Sequence, residues 1–351
     1  PPTRYHHDQN TLLIIDISAG HKNRSPGCDF YARMAALLTK RDLQCKAPIS
    51  PVECCRAGGQ AAVATARSKT YSTQDPEFSA VRSGLWLAQR SCKGGSIMKQ
   101  LQDKVAIVTG ATSGIGQAAA RLFAQEGARL IVTGRRGDAL DALVAQIQQA
   151  GGEALGVAGD IRSEALAERL VALALERFGG LDIAFNNAGM TGETRSVSEL
   201  TLDQWQAVLD CNLTSAFLGA KYQLPALRSR GAGSIIFTSS FVGHHVGFPG
   251  MAAYAASKAA LIGLTQVIAA EEGPHGIRAN ALLPGGTDTP MGRTATDTPE
   301  KRAFVENLHA LKRLARPEEI ARAALFLASD AASFVSGTAM LVEGGVSINR
   351  S

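Results

Sequence analysis

The chain has 351 residues, 45% hydrophobic and 19% charged, a globular mixture that excludes disordered, collagen-like and disulfide-scaffold classes. Its net charge of +5 is confined to one end: residues 1–97 hold 13 Lys and Arg against 7 Asp and Glu, whereas residues 98–351 hold 23 against 24. A basic binding face would need that charge spread over a folded domain, so neither nucleic acid nor a membrane surface is an expected partner.

Residues 1–97 show no sustained periodicity except near Tyr31–Leu38, where the apolar spacing predicts two helical turns. Five of the six cysteines lie here (Cys28, Cys45, Cys54, Cys55 and Cys92), but no CxxC pair occurs, so no metal site is expected. The apolar run Leu12–Ile17 is interrupted by Asp16, too short for a signal core or a membrane span, and no other run approaches 18 apolar residues. The seven acidic residues argue against a transit peptide, and a cytoplasmic location is expected. Lys93-Gly94-Gly95 followed by Ser96-Ile97 reads as a translated ribosome-binding sequence and its spacer ahead of Met98. The expectation is a natural start at Met98, with residues 1–97 an unstructured extension of translated upstream sequence.

From Met98 onward strands and helices alternate. Val105–Thr109 is a short apolar run ending in glycines and predicts a buried strand; Gln117–Glu126, with Ala118, Leu122 and Phe123 at helical spacing, predicts a helix stopped by Gly127. Further strands are expected at Leu130–Thr133, Ala154–Ala158, Ile183–Phe185, Ser234–Thr238, Ile277–Leu283 and Ala339–Val342. Helices are expected at Asp138–Gln149, Glu164–Phe178, Leu202–Leu227 (opened by a capping box of Thr201 and Gln204), Ala255–Glu272 and Pro317–Ala328. This alternation predicts an α/β fold, one doubly wound, Rossmann-like domain over 98–351 with a parallel sheet covered on both faces. In such sheets ligands bind beyond the carboxyl ends of the strands.

The chemistry-bearing clusters fall at those ends. Thr109-Gly110-Ala111-Thr112-Ser113-Gly114-Ile115-Gly116 joins the first strand to the first helix, where glycines allow a tight turn and close approach of helix N–H groups to a pyrophosphate. Tyr254 and Lys258 stand four apart on one helix face. An ammonium beside a phenol favours the phenolate, so the tyrosine pKa is expected below its usual value, suiting a general acid/base. Cys211 reads as a small core residue, and His244-His245 as diverging loop side chains at the mouth of the site.

Asn186-Asn187-Ala188-Gly189 after the fourth strand, the Tyr254…Lys258 helix and Pro284-Gly285 after the sixth strand follow the glycine turn in order. With the TGxxxGxG turn, this set resembles the short-chain dehydrogenase/reductase family in its single-domain branch of roughly 250 residues. Ser336-Gly337-Thr338 and Val342–Gly345 resemble it too, although Glu343 stands where Asp is usual. The resemblance implies that Tyr254 is the acid/base, Lys258 tunes it and holds the nicotinamide ribose, and Ser240 polarises the carbonyl. Ser239 is the alternative serine. The resemblance also implies that Asn212 holds a water in a proton relay to Lys258. The interval from Ser240 to Tyr254 is one residue longer than usual, which places an insertion within Val242–Val246. Cofactor contacts are implied for Gly110, Ser113, Gly114, Ile115 and Gly116, for Asp160 and Ile161, and for Asn187, Ala188 and Gly189. Pro284, Gly285, Thr287 and Thr289 complete the set. A homotetramer or homodimer is implied as well.

Cofactor choice is argued from charge. The second strand ends Thr133-Gly134-Arg135-Arg136. Gly134 leaves room where an NAD-binding acid would stand, and an arginine pairs readily with a 2′-phosphate, Arg135 ahead of Arg136. The expected function is interconversion of a small-molecule carbonyl and a secondary alcohol with NADP(H). The alternatives are an NAD(H)-dependent alcohol or sugar dehydrogenase and a silent dinucleotide-binding sensor. The substrate is left to Met190–Val197, Phe241–Ala253 and Gly286–Asn307, the last with a partly apolar lid around Met291 and Phe304.

Overall fold

The computed structural model describes residues 99–350 and, nearer the N-terminus, the backbone of three strands: β1 (Thr11–Ser18), β2 (Ala32–Leu38) and β3 (Thr65–Ser72). These three form an antiparallel sheet of their own in the order β2-β1-β3. Residues 32–38, expected within two helical turns, therefore run as a strand. Pairing of Thr11–Ile17 with Leu38–Ala32 outweighs the local helix preference of Ala, Met and Leu. The cysteines at 28, 45, 54, 55 and 92 and the run 93–97 lie outside the described residues.

The C-terminal unit holds a seven-stranded parallel sheet. Its strands are β4 (Val105–Thr109), β5 (Arg129–Gly134), β6 (Glu153–Ala158), β7 (Ile183–Asn186), β8 (Gly233–Thr238), β9 (Ile277–Pro284) and β10 (Ala339–Val342). They lie in the order β10-β9-β8-β7-β4-β5-β6. Successive strand side chains alternate between faces. Ala106, Val108, Leu130, Val132 and Ile236 pack against Phe123 of α1 (Gly114–Gln125), Leu140 of α2 (Gly137–Gln149) and Ile320 of the late helix 317–328. Val105, Ile107, Ile131, Ile235 and Phe237 pack on the other face against Leu170 of α3 (Glu164–Phe178) and against Leu227 and Leu261 of two long helices described next. Near-continuous apolar strands are thus consumed on both sides, and the order reverses at β4, between β5 and β7. That reversal opens the crevice where the glycine turn sits.

Thr201 and Gln204 form the expected capping box. The helix that follows is broken, however: α4 (Leu202–Leu209) passes through a π turn at Asp210–Thr214 into α5 (Ser215–Ser229). Side-chain bonds compete with the regular ladder there, since Ser215 Oγ donates to the Cys211 carbonyl at 2.6 Å and Asn212 is drawn to a neighbouring loop. Next comes α6 (Ala252–Glu272), which carries Tyr254 and Lys258. With its short extension it makes Ala252–His275 long and apolar enough to cross a membrane by length and composition, contrary to the expectation that no such run exists. Its many alanines raise the hydropathy, while Leu261 and Ile268 pack into the core. The expected lid contains two helices not anticipated, α7 (Pro290–Ala295) and α8 (Pro299–Leu308). Each starts with a threonine cap and a proline in its first turn; α9 (Pro317–Ala328) closes the series.

Candidate active site

The turn after β4 is built so that side chains cannot enter it. Gly110 has φ +65° and a Cβ there would lie 2.9 Å from Ala188 Cα. At Gly116 it would lie 2.3 Å from the Gly110 carbonyl oxygen. Gly114, at φ +55°, faces Thr289, whose methyl a Cβ would meet at 2.9 Å. Ser113 precedes α1 without capping it, and Ile115 lies in its first turn. Backbone N–H groups at a bare helix start suit a pyrophosphate, so the cradle fits a dinucleotide.

The strand ends are tied across the crevice. Thr109 Oγ1 accepts the N–H groups of Asn187 at 2.9 Å and Ala188 at 3.0 Å. The Asn187 amide donates to the Thr109 carbonyl at 3.1 Å and accepts from the Thr238 hydroxyl at 3.2 Å. Gly189 lies against both Asn212 and Lys258; a Cβ would approach Asn212 Oδ1 at 3.1 Å and Lys258 Nζ at 3.3 Å.

The structure brings Asn212, Ser240, Tyr254 and Lys258 to one place. Lys258 is 4% exposed, its Nζ donates to the Thr238 carbonyl at 2.6 Å, and it stands 5.7 Å from the Tyr254 ring centre. Burial pushes Lys258 down to about 8. Burial also raises the Tyr254 phenol above its ordinary value, opposed by a hydrogen bond with Ser240. This corrects the expected depression of Tyr254 by the lysine: desolvation of the phenolate dominates, and Ser240 is the group that opposes it. Ser240 Oγ also accepts the Val242 N–H at 3.1 Å. Ser239 faces away and donates to the Lys258 carbonyl at 2.6 Å, a bond that fixes α6. Asn212 Oδ1 accepts the Met190 N–H at 2.8 Å, and its Nδ2 donates to the Met190 carbonyl at 2.8 Å.

The extra residue before Tyr254 is absorbed in a tight loop, where Val242 bridges to Val246 and Gly243 turns at φ +87° against the Ala255 carbonyl. The exposed His244 and His245 rings, expected to diverge, sit with centres 4.0 Å apart. Both backbone N–H groups bond the Phe241 carbonyl, which winds the two side chains to one side. Burial and then His245 lower the His244 pKa. Cys211 is half-buried, and burial raises its thiol. Among the described residues no group of His, Cys, Asp or Glu is arranged to hold a metal ion.

Beyond the end of β6, Asp160 is clasped by Arg162, with Nε donating at 3.1 and 3.0 Å, and is lowered to about 2 by those bonds. Ile161 is partly buried beside it. Arg135 is exposed and makes no hydrogen bond among the described residues, whereas Arg136 reaches back to Thr112. Room was expected beside Gly134, but a Cβ there would lie 2.5 Å from Thr112 Cγ2. The threonine fills that space because the Ala111 N–H bonds the Thr133 carbonyl at 3.0 Å and holds the turn against β5.

On the far side β9 ends at Pro284, and a Cβ on Gly285 would lie 2.7 Å from Glu343 Cα. Thr287 donates to the Gly285 carbonyl at 2.9 Å, and Thr289 Oγ1 caps α7 by accepting the Gly292 N–H at 3.0 Å. Glu343, in the usual place of Asp, accepts from the N–H groups of Gly345 at 3.1 Å and Ser347 at 2.7 Å. Thr238, Ser257 and His309 bear on the site without a sequence signal, and the Thr109 side chain has a tie that its place in the glycine turn does not announce. His309 is 2% exposed and accepts the Gly286 N–H on Nε2 at 3.0 Å. Thr109 and His309 bond backbone, and Thr238 and Ser257 bond side chains, that lie far off in the sequence, so none carries a local spacing signal.

Residues 110–347 match the family model described as Enoyl-(Acyl carrier protein) reductase. The chain is 42% identical over 250 residues to a 2,5-dichloro-2,5-cyclohexadiene-1,4-diol dehydrogenase of Sphingobium indicum, covering 71% of this chain and 98% of that one. A solved short-chain type dehydrogenase/reductase from Mycobacterium marinum superposes with a TM-score of 0.68 at 33% identity, covering 72% of this chain and 98% of that one. A structure from Beutenbergia cavernae with bound NADP, described as an NAD(P)-dependent gluconate 5-dehydrogenase, gives 0.66 at 34% identity over 71% and 98% of the two chains.

Proposed function

The chain belongs to the short-chain dehydrogenase/reductase family, and from there we propose that it interconverts a carbonyl and a secondary alcohol with NADP(H), using Tyr254 as general acid/base. The observation that carries this reading is the placement of Tyr254 and the buried Lys258 on one turn of α6, with the lysine Nζ 5.7 Å from the tyrosine ring centre. The glycine cradle, with Asn187, Ala188, Gly189, Pro284, Gly285, Thr287 and Thr289, would hold the dinucleotide, which when bound supplies or accepts the hydride. Burial keeps Tyr254 protonated, ready to donate to a carbonyl oxygen. Ser240 polarises the same oxygen. Lys258, still mostly cationic at neutral pH, stabilises the phenolate left behind. Asn212 spends both amide donors and its oxygen on Met190 and Ser257, so it aligns the substrate loop with α6.

The basic Arg135 and Arg136 after β5 support NADP(H) over NAD(H). The ring diol named for the Sphingobium relative and the exposed Met291 and Phe304 of the lid support a compact cyclic substrate. Phe217 of α5 and Val267 of α6, each about half exposed, support assembly with further copies of the chain. The test is initial-rate kinetics with NADPH and NADH against cyclic ketones, open-chain ketones and a 3-oxoacyl thioester. NADPH-dependent reduction of cyclic ketones is expected. No turnover with either dinucleotide overturns the enzymatic reading, and preference for NADH overturns the cofactor assignment.

A further inference from the structure

We propose that Thr112 determines the choice at the adenosine 2′ position, by shutting an acidic side chain out of position 134 while anchoring Arg136 beside the turn. The proposal rests on the NADP(H) reading above and assigns it to a residue that carries no charge.

Two observations on one residue carry it. The Thr112 methyl occupies the place a side chain at 134 would need: a Cβ on Gly134 would meet Cγ2 at 2.5 Å and Oγ1 at 3.2 Å. The Arg136 guanidinium donates through Nη2 to the Thr112 carbonyl at 3.1 Å and to its Oγ1 at 3.3 Å. These two roles are coupled through a single torsion. Threonine has few staggered positions, and turning χ1 to move the methyl off Gly134 also swings Oγ1. An acid at 134 therefore displaces the methyl and disturbs the hold on Arg136 together. The backbone gives little relief, because the Ala111 N–H to Thr133 carbonyl bond clamps the turn onto β5 and the Gly159 N–H bonds the Gly134 carbonyl at 3.1 Å. Arg135, exposed and free of hydrogen bonds among the described residues, adds positive charge but no position. Without Thr112 the site would have cations near the ribose and no bar to a carboxylate. With it, the site has an oriented guanidinium and a steric bar.

The test measures nucleotide binding to the full chain by calorimetry, using adenosine 2′,5′-bisphosphate and 5′-AMP, with Tm recorded for every protein. Four variants are compared with wild type: Gly134→Asp, Thr112→Ser, the pair of these together, and Thr112→Val. Gly134→Asp alone is expected to lower Tm and weaken both nucleotides. Adding Thr112→Ser, which deletes only the methyl, restores Tm and reverses the preference toward 5′-AMP. Thr112→Val keeps the bulk and the backbone carbonyl but loses Oγ1, one of the two acceptors for Arg136, and should cut the bisphosphate preference by about fivefold. The proposal is overturned if Gly134→Asp matches the paired variant in Tm and 5′-AMP affinity, if Thr112→Ser fails to rescue it, or if Thr112→Val keeps the full preference. A wild type that binds the bisphosphate no better than 5′-AMP overturns the NADP(H) reading instead. The rescue of Gly134→Asp then still decides the steric part.

Discussion

Asn212 Nδ2 donates to Ser257 Oγ across 3.0 Å, and Ser257 in turn donates to the Tyr254 carbonyl at 2.7 Å. The π turn and the first turns of α6 are thereby one bonded unit, with Met190 attached to it through the same amide. Asn212→Leu would leave the Met190 N–H and carbonyl without partners in a part-buried place, a loss of about 1–3 kcal/mol. A fall of several degrees in Tm is expected, with kcat lowered more than dinucleotide affinity. Wild-type Tm and kcat in this variant would show that the amide aligns nothing.

Tyr254→Phe removes one hydroxyl from a partly buried ring and should leave Tm and dinucleotide affinity near wild type. Turnover is expected to fall by about 10²–10⁴. Ser240→Ala should lower kcat less, with KM for the dinucleotide unchanged. Activity in Tyr254→Phe within a factor of about three of wild type would remove the tyrosine from the acid/base role.

Lys258 makes a signed prediction for stability against pH. Its folded pKa, about 8, lies below the ordinary lysine value of 10.5, so between those limits the unfolded chain binds the extra proton. Raising the pH through this window favours the folded state, by on the order of 3 kcal/mol when complete. Lys258→Met abolishes that titration. In denaturant melts without dinucleotide, wild type should gain on the variant steadily from pH 8 to pH 10.5. Parallel curves would mean that the ammonium is not desolvated.

Arg135 is exposed, so its contribution to cofactor choice should be sensitive to salt. Arg135→Leu is expected to reduce the NADPH over NADH preference in kcat/KM by roughly tenfold at low salt and by less at 0.5 M. Equal preference in both proteins at both salt concentrations would leave Arg136 as the sole discriminating cation.

Much of the α/β unit is legible because strand alternation and helix spacing are local signals. Ala106 and Val108 fall on one face and Val105 and Ile107 on the other, as a buried strand requires, and the Thr201–Gln204 capping box appears with both bonds. The π turn at Asp210–Thr214 is not legible. Its cause is the pull of Met190 on Asn212, and Met190 lies on another segment. Helices α7 and α8 had a readable signature in Thr289-Pro290 and Thr298-Pro299, masked by weak apolar periodicity. Tyr254 and Lys258 could be paired by spacing, but the rise in the phenol pKa depends on burial, which spacing does not encode. The space beside Gly134 looks empty in the sequence because the residue that fills it, Thr112, comes from the preceding crossover.

Neither α7 nor α8 contains a buried residue, and the two helices make up most of the segment proposed as the lid. Met291 and Phe304, 41% and 60% exposed, can be exchanged there with little penalty to folding. If this segment sets substrate choice, selection on that choice is uncoupled from selection on stability. A library randomised over the outward positions of 290–308 should yield mostly folded proteins, and variation there is free to wander while the Tyr254–Lys258 helix stays put.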